Sequence, residues 1–306
     1  MILLASPGQG AQTPGFLKPW LEHPGVADRL TWWSAVTGLD LVRYGTEADA
    51  EEIRDTAVAQ PLLVAAALAA HAALYEDGDG APDAVAGHSV GELAAAAVAG
   101  VLTPEAALVL VRERGRAMAE AAAVTETGMT AVLGGDPDEV LAAIDKHGLT
   151  PANVNGAGQV VAAGEAERLA AFADEPPAKA RLRPLSVAGA FHTEHMAPAV
   201  DALRRLAPGV PVADPRTRLL QNRDGAVVES GAEFLDRLVD QVSAPVRWDK
   251  CMAAMRDLGV TAIIELPPAG TLTGLARREL KGVELCALKT PADLDKAREL
   301  IKAHAS

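Results

Sequence analysis

Five residues in the first third of the chain have the spacing of a nucleophile elbow. The segment Gly87-His88-Ser89-Val90-Gly91 follows the short apolar run Asp83–Ala86 and precedes the helix-forming run Glu92–Ala99. The two glycines let a strand turn sharply into a helix, which exposes the serine hydroxyl and brings backbone N–H groups to the positive end of that helix. The pattern alone also occurs in ordinary turns, but the flanking strand and helix favour Ser89 as a nucleophile.

A serine hydroxyl needs a general base, and His192 is the candidate among the seven histidines. It lies just after Gly189, where two parts of the chain are expected to meet at a cleft. Thr193 is suited to cap the helix that follows, and a positive helix end favours the neutral imidazole that a base requires. The position of His192 alone fits equally well a histidine that only forms a structural hydrogen bond where the two parts of the chain join. His88 lies on the wrong side of the turn to serve as the base.

Arg114 is the most informative charged residue. Thr103-Pro104-Glu105 is a strong helix start, and on that helix the neighbours of Arg114 at three and four residues are apolar: Leu110, Val111, Ala117 and Met118. A guanidinium that points inward is costly unless it meets a carboxylate, which its planar fork binds with two hydrogen bonds. Two partners fit equally well at this stage, namely an internal Asp or Glu and a carboxylated substrate.

The elements that must position these residues alternate between strand and helix. We expect, in order, a strand at Ile2–Ala5, a helix at Pro61–Tyr75, a strand at Ala84–Ala86, and helices at Val90–Ala99 and Pro104–Ala123. After residue 190 the alternation resumes, with a helix over Val246–Leu258 and a strand over Ala262–Glu265. This alternation predicts α/β layering around a mostly parallel sheet.

Between residues 127 and 189 the predicted order changes to β-α-β-β-α-β, which is the order of a ferredoxin-like unit. Gly128 marks the start of this stretch and Gly189 its end. We therefore predict a small domain at 127–189, inserted into a large domain formed by 1–126 and 190–306. A cleft between two domains is a favoured place for a ligand.

Composition excludes several classes of protein. The 306 residues are 49% hydrophobic but only 3% aromatic, which excludes a disordered chain and predicts a core of small side chains. The net charge of −13 has the wrong sign for a protein that grips nucleic acid. The two cysteines, Cys251 and Cys286, cannot build a disulfide framework and lack the spacing of a metal site, so we expect no metal and a reducing compartment, the cytoplasm.

Neither the N-terminus nor the interior predicts a membrane segment. The apolar run Ile2–Ala5 has no basic residues before it and is too short for a signal peptide. The most apolar long stretch, Pro61–Leu74, is rich in alanine and contains His71, which is typical of a buried helix rather than a membrane span.

Taken together, these segments closely resemble the malonyl-CoA:acyl-carrier-protein transacylases, the acyltransferases of type II fatty-acid and polyketide synthases. The resemblance spans nearly the whole chain and rests on Gly8-Gln9-Gly10-Ala11-Gln12, Gln60-Pro61-Leu62-Leu63, Gly87 to Glu92, Arg114-Gly115, Asn153-Val154-Asn155, Gly189 to His192, Asn222, and Gln241 ahead of Pro245-Val246-Arg247-Trp248. It implies an α/β-hydrolase-like large domain, an inserted ferredoxin-like small domain, and an active site between them.

The resemblance also implies roles for individual residues. Ser89 would be the nucleophile and His192 its base, with the backbone N–H groups of Gln9 and Val90 as the oxyanion hole. Arg114 would hold the malonyl carboxylate, and the main-chain carbonyl of Gln241 would orient the histidine. The resemblance further places four residues in the pocket: Gln60, Met118, Asn155 and Phe191. The bulky Phe191 would leave no room for an α-methyl branch on the acyl group.

The implied reaction needs no cofactor, since the coenzyme A thioester and the phosphopantetheine of the carrier are substrates. The expected partners are malonyl-CoA and an acyl carrier protein, with no nucleic acid and no membrane, and the chain is expected to act as a monomer. Because the chain is acidic overall, we expect a local basic patch for the carrier that includes Lys179, Arg181 or Arg183.

Three alternatives compete with this resemblance; the sequence lacks the second oxyanion loop that the first requires, it keeps the three residues that the second should have lost, and it leaves the third open. A serine esterase or thioesterase would share the elbow, but it should supply an acidic residue between nucleophile and histidine and a second oxyanion loop. A non-catalytic module that binds carrier protein should have lost Ser89, His192 or Arg114. A trans-acting acyltransferase of a polyketide pathway shares every motif, and the sequence also leaves open the choice between malonyl and methylmalonyl groups.

Overall fold

The computed structural model describes residues 1–76, 78 and 80–304. Within these residues the strands are β1 (Ile2–Ser6), β2 (Ala84–Gly87), β3 (Thr127–Gly134), β4 (Thr150–Gly156), β5 (Gln159–Glu165), β6 (Ala180–Pro184), β7 (Arg218–Leu220), β8 (Val227–Val228), β9 (Val246–Arg247), β10 (Ala262–Glu265) and β11 (Glu284–Ala287). The helices are α1 (Val26–Thr37), α2 (Leu41–Thr46), α3 (Thr56–Leu74), α4 (Gly91–Val98), α5 (Pro104–Ala122), α6 (Pro137–Lys146), α7 (Ala166–Asp174), α8 (Ala197–Leu206), α9 (Gly231–Asp240), α10 (Trp248–Asp257), α11 (Thr271–Glu279) and α12 (Leu294–His304).

The first sheet has the strand order β11-β10-β1-β2-β7-β8. Its pairs are parallel except for the antiparallel pair β7 and β8. Alternate residues of β1 point to opposite faces, so Ile2 and Leu4 pack in a core with α3, α4 and α5, whereas Leu3 and Ala5 pack with α10 and α11. The sheet is thus covered by helices on both faces, which confirms the predicted α/β layering.

The second sheet has the strand order β6-β3-β5-β4-β9, and the chain order β3-α6-β4-β5-α7-β6 is the predicted β-α-β-β-α-β order. Its fifth strand comes from outside the predicted small domain, because Asn153 of β4 pairs in parallel with Val246 of β9. The expected helix over Val246–Leu258 was therefore wrong at its start, since Val246 and Arg247 form this strand and α10 begins at Trp248. The division of the chain into a large domain (1–126 and 190–306) and a small domain (127–189) stays a prediction.

The apolar helix α3 begins at Thr56, earlier than the expected Pro61, because the Asp55 side chain caps it by accepting the Ala57 N–H. Among the described residues it is the one helix whose length and composition would suit a membrane span. Of its most apolar window, however, 83% is buried within the protein. It packs in the core beside α5, as the sequence predicted.

A buried carboxylate fixes the loop that leads from β10 into α11. Glu265 is fully buried and accepts hydrogen bonds from the backbone N–H groups of Gly270 (2.9 Å), Leu272 (2.9 Å) and Thr273 (2.8 Å), and from the Thr273 hydroxyl (2.8 Å). Leu272 and Thr271 line the cavity described below. The position of this cavity wall therefore depends on one side chain.

Replacing Glu265 with alanine leaves these four donors without a partner in the interior. We expect the change to lower the free energy of unfolding by about 3 kcal/mol, because buried unsatisfied groups carry their full desolvation cost. Denaturant unfolding measures this directly. Glu47→Ala removes an exposed carboxylate and should cost less than about 0.5 kcal/mol; equal effects of the two substitutions would contradict the account.

Candidate active site

Ser89 lies between β2 and α4 with a left-handed backbone, φ 53°. The turn is so tight that a Cβ atom on Gly87 would overlap the backbone of Gly91, and one on Gly91 would overlap the Ser6 carbonyl oxygen. Both glycines are therefore required by close packing, as the elbow pattern predicted. The arrangement presents the serine hydroxyl at the carboxyl end of the parallel strands.

The structure brings Ser89 and His192 together although 103 residues separate them, with 2.7 Å between Ser89 Oγ and His192 Nε2. The other ring nitrogen, Nδ1, lies 2.9 Å from the main-chain carbonyl oxygen of Gln241. A carbonyl oxygen can only accept, so Nδ1 carries the proton and the Nε2 lone pair faces the serine hydroxyl. Gln241 occupies the orienting position that the resemblance implied, and the orienting group is neutral.

The His192 ring is buried, and its surroundings keep it neutral. Burial, followed by the positive charge of Arg114, lowers the pKa of His192 to about 3. Both causes disfavour the imidazolium form. At neutral pH the ring is therefore an unprotonated base that can accept the serine proton.

Arg114 is only 1% exposed and lies beside the nucleophile. Its Nη1 donates to Gln60 Oε1 (2.6 Å), and its Nη2 lies 3.4 Å from Ser89 Oγ. It forms no ion pair in the part of the chain that the structure describes, and its buried Nε–H has no hydrogen-bond partner there. Burial lowers the pKa of Arg114 to about 10, so the guanidinium stays positive at neutral pH. Of the two partners left open by the sequence, no carboxylate of the described residues lies within ion-pair distance of Arg114, although the buried Glu92 is close enough to raise the Arg114 pKa against the effect of burial.

Backbone N–H groups are available where an oxyanion would form. Neither Gln9 nor Val90 donates its backbone N–H to another of the described residues. The Gln9 side chain is held by a hydrogen bond, since its Nε2 lies 3.3 Å from Thr56 Oγ1. The N–H of Ser89 itself is occupied, because it donates to Asn222 Oδ1 at 2.7 Å. The two free donors are the pair that the resemblance implied.

A cavity of about 560 Å³ opens above the serine, between the two sheets. Its wall includes Ser89 and His192 together with the predicted pocket and oxyanion residues Gln9, Gln60, Val90, Met118, Asn155 and Phe191. Arg114 and Gln241 lie behind this wall, the former beneath Gln60 and the latter behind the histidine. Gln60 Nε2 also lies 3.4 Å from Met118 Sδ, so these two pocket residues hold each other.

His88 ties the elbow to the second sheet. Its Nε2 lies 2.9 Å from Asn155 Oδ1 on β4, and its ring lies 5.6 Å from that of Trp248. Because an amide oxygen only accepts, His88 donates this hydrogen bond and is not a base for Ser89. The sequence excluded His88 from catalysis but gave no sign of this bridge between the two sheets.

Two residues without a sequence-derived role also lie at the elbow. Asn222 contacts the Ser89 backbone, and Glu92 is fully buried at the start of α4. Asn222 belongs to the segments that carry the resemblance, and Glu92 ends the elbow motif, but neither type nor spacing indicated their contacts. In the described part of the chain no group of three or more His, Cys, Asp or Glu side chains could hold a metal ion.

A serine hydrogen-bonded to a neutral histidine is the nucleophile and base of acyl-transfer chemistry, which hydrolases and acyltransferases share, and the family comparison shows the acyltransferase class. The sequence matches the acyl transferase domain family over residues 7–294. It is 55% identical over 302 residues to the malonyl CoA-acyl carrier protein transacylase of Mycobacterium tuberculosis strain H37Rv, covering 98% of this chain and 100% of that protein. The Escherichia coli K12 protein of the same name is 34% identical over 301 residues, covering 96% and 97%.

Solved structures agree with these relatives. A crystal structure of MCAT from Mycobacterium tuberculosis superimposes with a TM-score of 0.94 at 54% identity, covering 97% of this chain and 99% of that one. A complex described as a type II PKS acyl-carrier protein with its malonyl-transacylase gives a TM-score of 0.93 at 32% identity, covering 98% and 99%. The chain belongs to the malonyl CoA-acyl carrier protein transacylase family.

The protonation state of the His192 ring is directly measurable. We expect its ring to titrate far below the ordinary value of 6.5, near pH 3, and therefore to stay neutral throughout pH 5–7. Nuclear magnetic resonance of ring nitrogens in the intact protein reports this, and the signal that disappears in His192→Gln identifies the residue. A midpoint near 6.5 would contradict the electrostatic account of the site.

Proposed function

We propose that the chain transfers the malonyl group from malonyl-CoA to the phosphopantetheine thiol of an acyl carrier protein through a malonyl ester of Ser89. One observation carries this proposal: a buried guanidinium that has no ion-pair partner among the described residues lies 3.4 Å from a serine that is hydrogen-bonded to a neutral histidine. Nucleophile and carboxylate binder are thus adjacent, as a substrate with a thioester at one end and a carboxylate at the other requires. The names of the relatives support the same substrates.

In the first step Ser89 Oγ attacks the thioester carbonyl carbon while its proton passes to His192 Nε2. The carbonyl oxygen becomes an oxyanion, which the backbone N–H groups of Gln9 and Val90 stabilise. The C–S bond then breaks, and the proton on His192 goes to the sulfur, so that coenzyme A leaves as a thiol. Malonyl-Ser89 remains.

In the second step the phosphopantetheine thiol gives its proton to His192 and attacks the ester carbonyl. The same two N–H groups hold the second oxyanion, after which the bond to Ser89 Oγ breaks and the serine regains a proton from His192. The product is malonyl-carrier protein. Because coenzyme A leaves before the carrier protein reacts with malonyl-Ser89, the kinetics are of the ping-pong type.

Arg114 selects the acyl group. A malonyl carboxylate that passes Gln60 to reach the guanidinium would use donors without a partner among the described residues, such as the Nε–H. An acetyl group has no carboxylate and would leave the buried charge uncompensated. Phe191, which is buried against the cavity, limits the room beside the α-carbon of the acyl group.

A basic strip extends from the cavity to the edge of the second sheet. Residues paired across strands share a face, and Arg183 of β6 pairs with Ala131, which lines the cavity beside Val161. Arg181 is two residues away on the same face, and both arginines are exposed and form no ion pair within the described residues. We propose that this strip, with the neighbouring Lys179, binds the carrier protein beside its phosphopantetheine phosphate.

Several further features belong to the same proposal. The chain works without a metal or other cofactor, as a monomer in the cytoplasm, and binds neither nucleic acid nor membrane. Its carrier protein serves fatty-acid synthesis, and a polyketide carrier is chemically equivalent for this site. The net charge of −13 supports the absence of nucleic-acid binding, and the protein-borne nucleophile and base support a reaction without a cofactor.

Substitution of Arg114 tests the acyl-group selection. We expect Arg114→Ala to lower kcat/KM for malonyl-CoA about 100-fold or more, with a far smaller change for acetyl-CoA, because only the malonyl group loses a charge partner. Transfer to the holo carrier protein is followed for each acyl-CoA. Arg116→Ala removes an exposed arginine two residues along α5 and serves as the control. An equal loss for both acyl groups would contradict the assigned role.

The basic strip is tested with the double variant Arg181→Ala/Arg183→Ala. We expect KM for the carrier protein to rise about tenfold at low salt with little change in kcat, because two attractive charges at the rim are lost. Arg168→Ala removes a charge on α7, which packs on the other face of the same sheet. A carrier KM within twofold of the wild-type value would remove the strip from the docking surface.

A further inference from the structure

One side chain holds the elbow backbone at Ser89 and at Gly87, on the N-terminal side of the nucleophile. Asn222 follows β7 and is 0% exposed. Its Oδ1 accepts the Ser89 N–H at 2.7 Å, and its Nδ2 donates to the Gly87 carbonyl oxygen at 2.7 Å. A side-chain amide is the group that offers an acceptor and a donor side by side, as these two backbone groups require.

Asn222 is itself anchored to the helix that the elbow begins. Its backbone N–H donates to Glu92 Oε1 at 2.7 Å, and its carbonyl oxygen accepts the Arg247 N–H at 2.8 Å. Glu92 lies in the first turn of α4, three residues after Ser89. The contacts therefore close a ring that runs from Ser89 through Asn222 to Glu92 and back along the chain.

This ring meets a specific need of the elbow. Ser89 has φ 53°, a conformation that residues other than glycine rarely adopt and that the surroundings must stabilise. Asn222 accepts the Ser89 N–H, whereas the adjacent Val90 N–H at the helix end donates to none of the described residues. The orientation of the serine hydroxyl and the choice of oxyanion donor thus both depend on the Asn222 amide.

Glu92 holds Asn222 through an acceptor oxygen and does not need a charge to do so. Burial raises the pKa of Glu92, and the Asn222 backbone N–H and the charge of Arg114 oppose this shift. The carboxyl presents an oxygen that accepts the Asn222 N–H in its charged form and in its neutral form.

We propose that Asn222 is a positioning residue, which clamps the backbone around Ser89 so that the hydroxyl meets His192 and the Val90 N–H faces the oxyanion, and that Glu92 holds this clamp in place. The proposal rests on the proposed function, because it assigns the clamp to the nucleophile of that reaction. It concerns the rate of attack by Ser89 and not the binding of the acyl-CoA.

A fluorophosphonate probe separates the clamp from substrate recognition. The probe forms a bond from Ser89 Oγ to phosphorus and loses fluoride, while His192 accepts the serine proton, so it needs the elbow but neither Arg114 nor coenzyme A. The experiment compares probe labelling, the single-turnover acylation rate and KM for malonyl-CoA in the wild-type chain, Asn222→Ala, Asn222→Asp, Glu92→Ala and Glu92→Gln. Gln221→Ala is the control, because it removes a fully buried amide next in sequence that has no hydrogen bond to the elbow.

For Asn222→Ala we expect labelling and acylation to slow about 30-fold or more while KM changes less than about threefold. In Asn222→Asp both rates should fall by a similar factor, since the second carboxylate oxygen would face the Gly87 carbonyl oxygen without a proton to donate. This variant provides the test if the alanine variant does not fold. Glu92→Ala should slow both rates about tenfold, whereas Glu92→Gln, which keeps an acceptor oxygen, should stay within about threefold of the wild-type rates.

Labelling and acylation rates within twofold of wild type in a folded Asn222 variant would overturn the proposal, as would a loss confined to KM or an equal loss in Gln221→Ala. Failure of the proposed function is distinguishable from these outcomes. In that case the wild-type chain would react with the fluorophosphonate at Ser89 but form no ester with malonyl-CoA.

Discussion

The site depends on one electrostatic constraint: a positive guanidinium is buried beside the nucleophile, and the side chains that it contacts among the described residues, Gln60 and Ser89, are neutral. Arg114 is hydrogen-bonded to Gln60 and lies close to Ser89 Oγ, and no carboxylate of the described residues pairs with it. The same charge helps to keep His192 neutral, since a second positive charge beside it would be costly. A carboxylated acyl group relieves this constraint, so the guanidinium affects the choice of substrate and, after the larger effect of burial, the protonation state of the base.

The fold serves this arrangement by bringing distant segments to one point. The end of β1 supplies the Gln9 loop, β2 and α4 supply the elbow, and α3 and α5 supply Gln60 and Arg114. The second sheet covers the serine from the other side, where β9 pairs with β4 and Asn155 binds His88. The strand β9 lies outside residues 127–189 but pairs with the second sheet. The two walls of the cavity are therefore connected through backbone hydrogen bonds as well as through side chains.

The sequence predicted local features well and long-range contacts poorly. The β-α-β-β-α-β stretch and the helix that carries Arg114 follow from periodicity and capping residues, and both are present. The helix α1 was missed because it begins after Gly25 without a capping side chain, and α12 was missed although Thr290 and Asp293 form a capping box ahead of it. The Asn222 clamp could not be predicted from spacing, since 133 residues separate it from Ser89. The elbow pattern and the family resemblance predicted which residues form the site, whereas the hydrogen bonds between them could be identified only in the folded structure.

The most direct test of the account locates the acyl group on the protein itself. The purified chain is incubated without carrier protein in separate reactions with malonyl-CoA, acetyl-CoA and methylmalonyl-CoA, and each adduct is identified by intact mass and peptide mapping. The account predicts a malonyl ester on Ser89 that persists because the cavity limits access of water, with little acetyl or methylmalonyl adduct. Release of free malonate without an adduct, or an ester on any other residue, would contradict it.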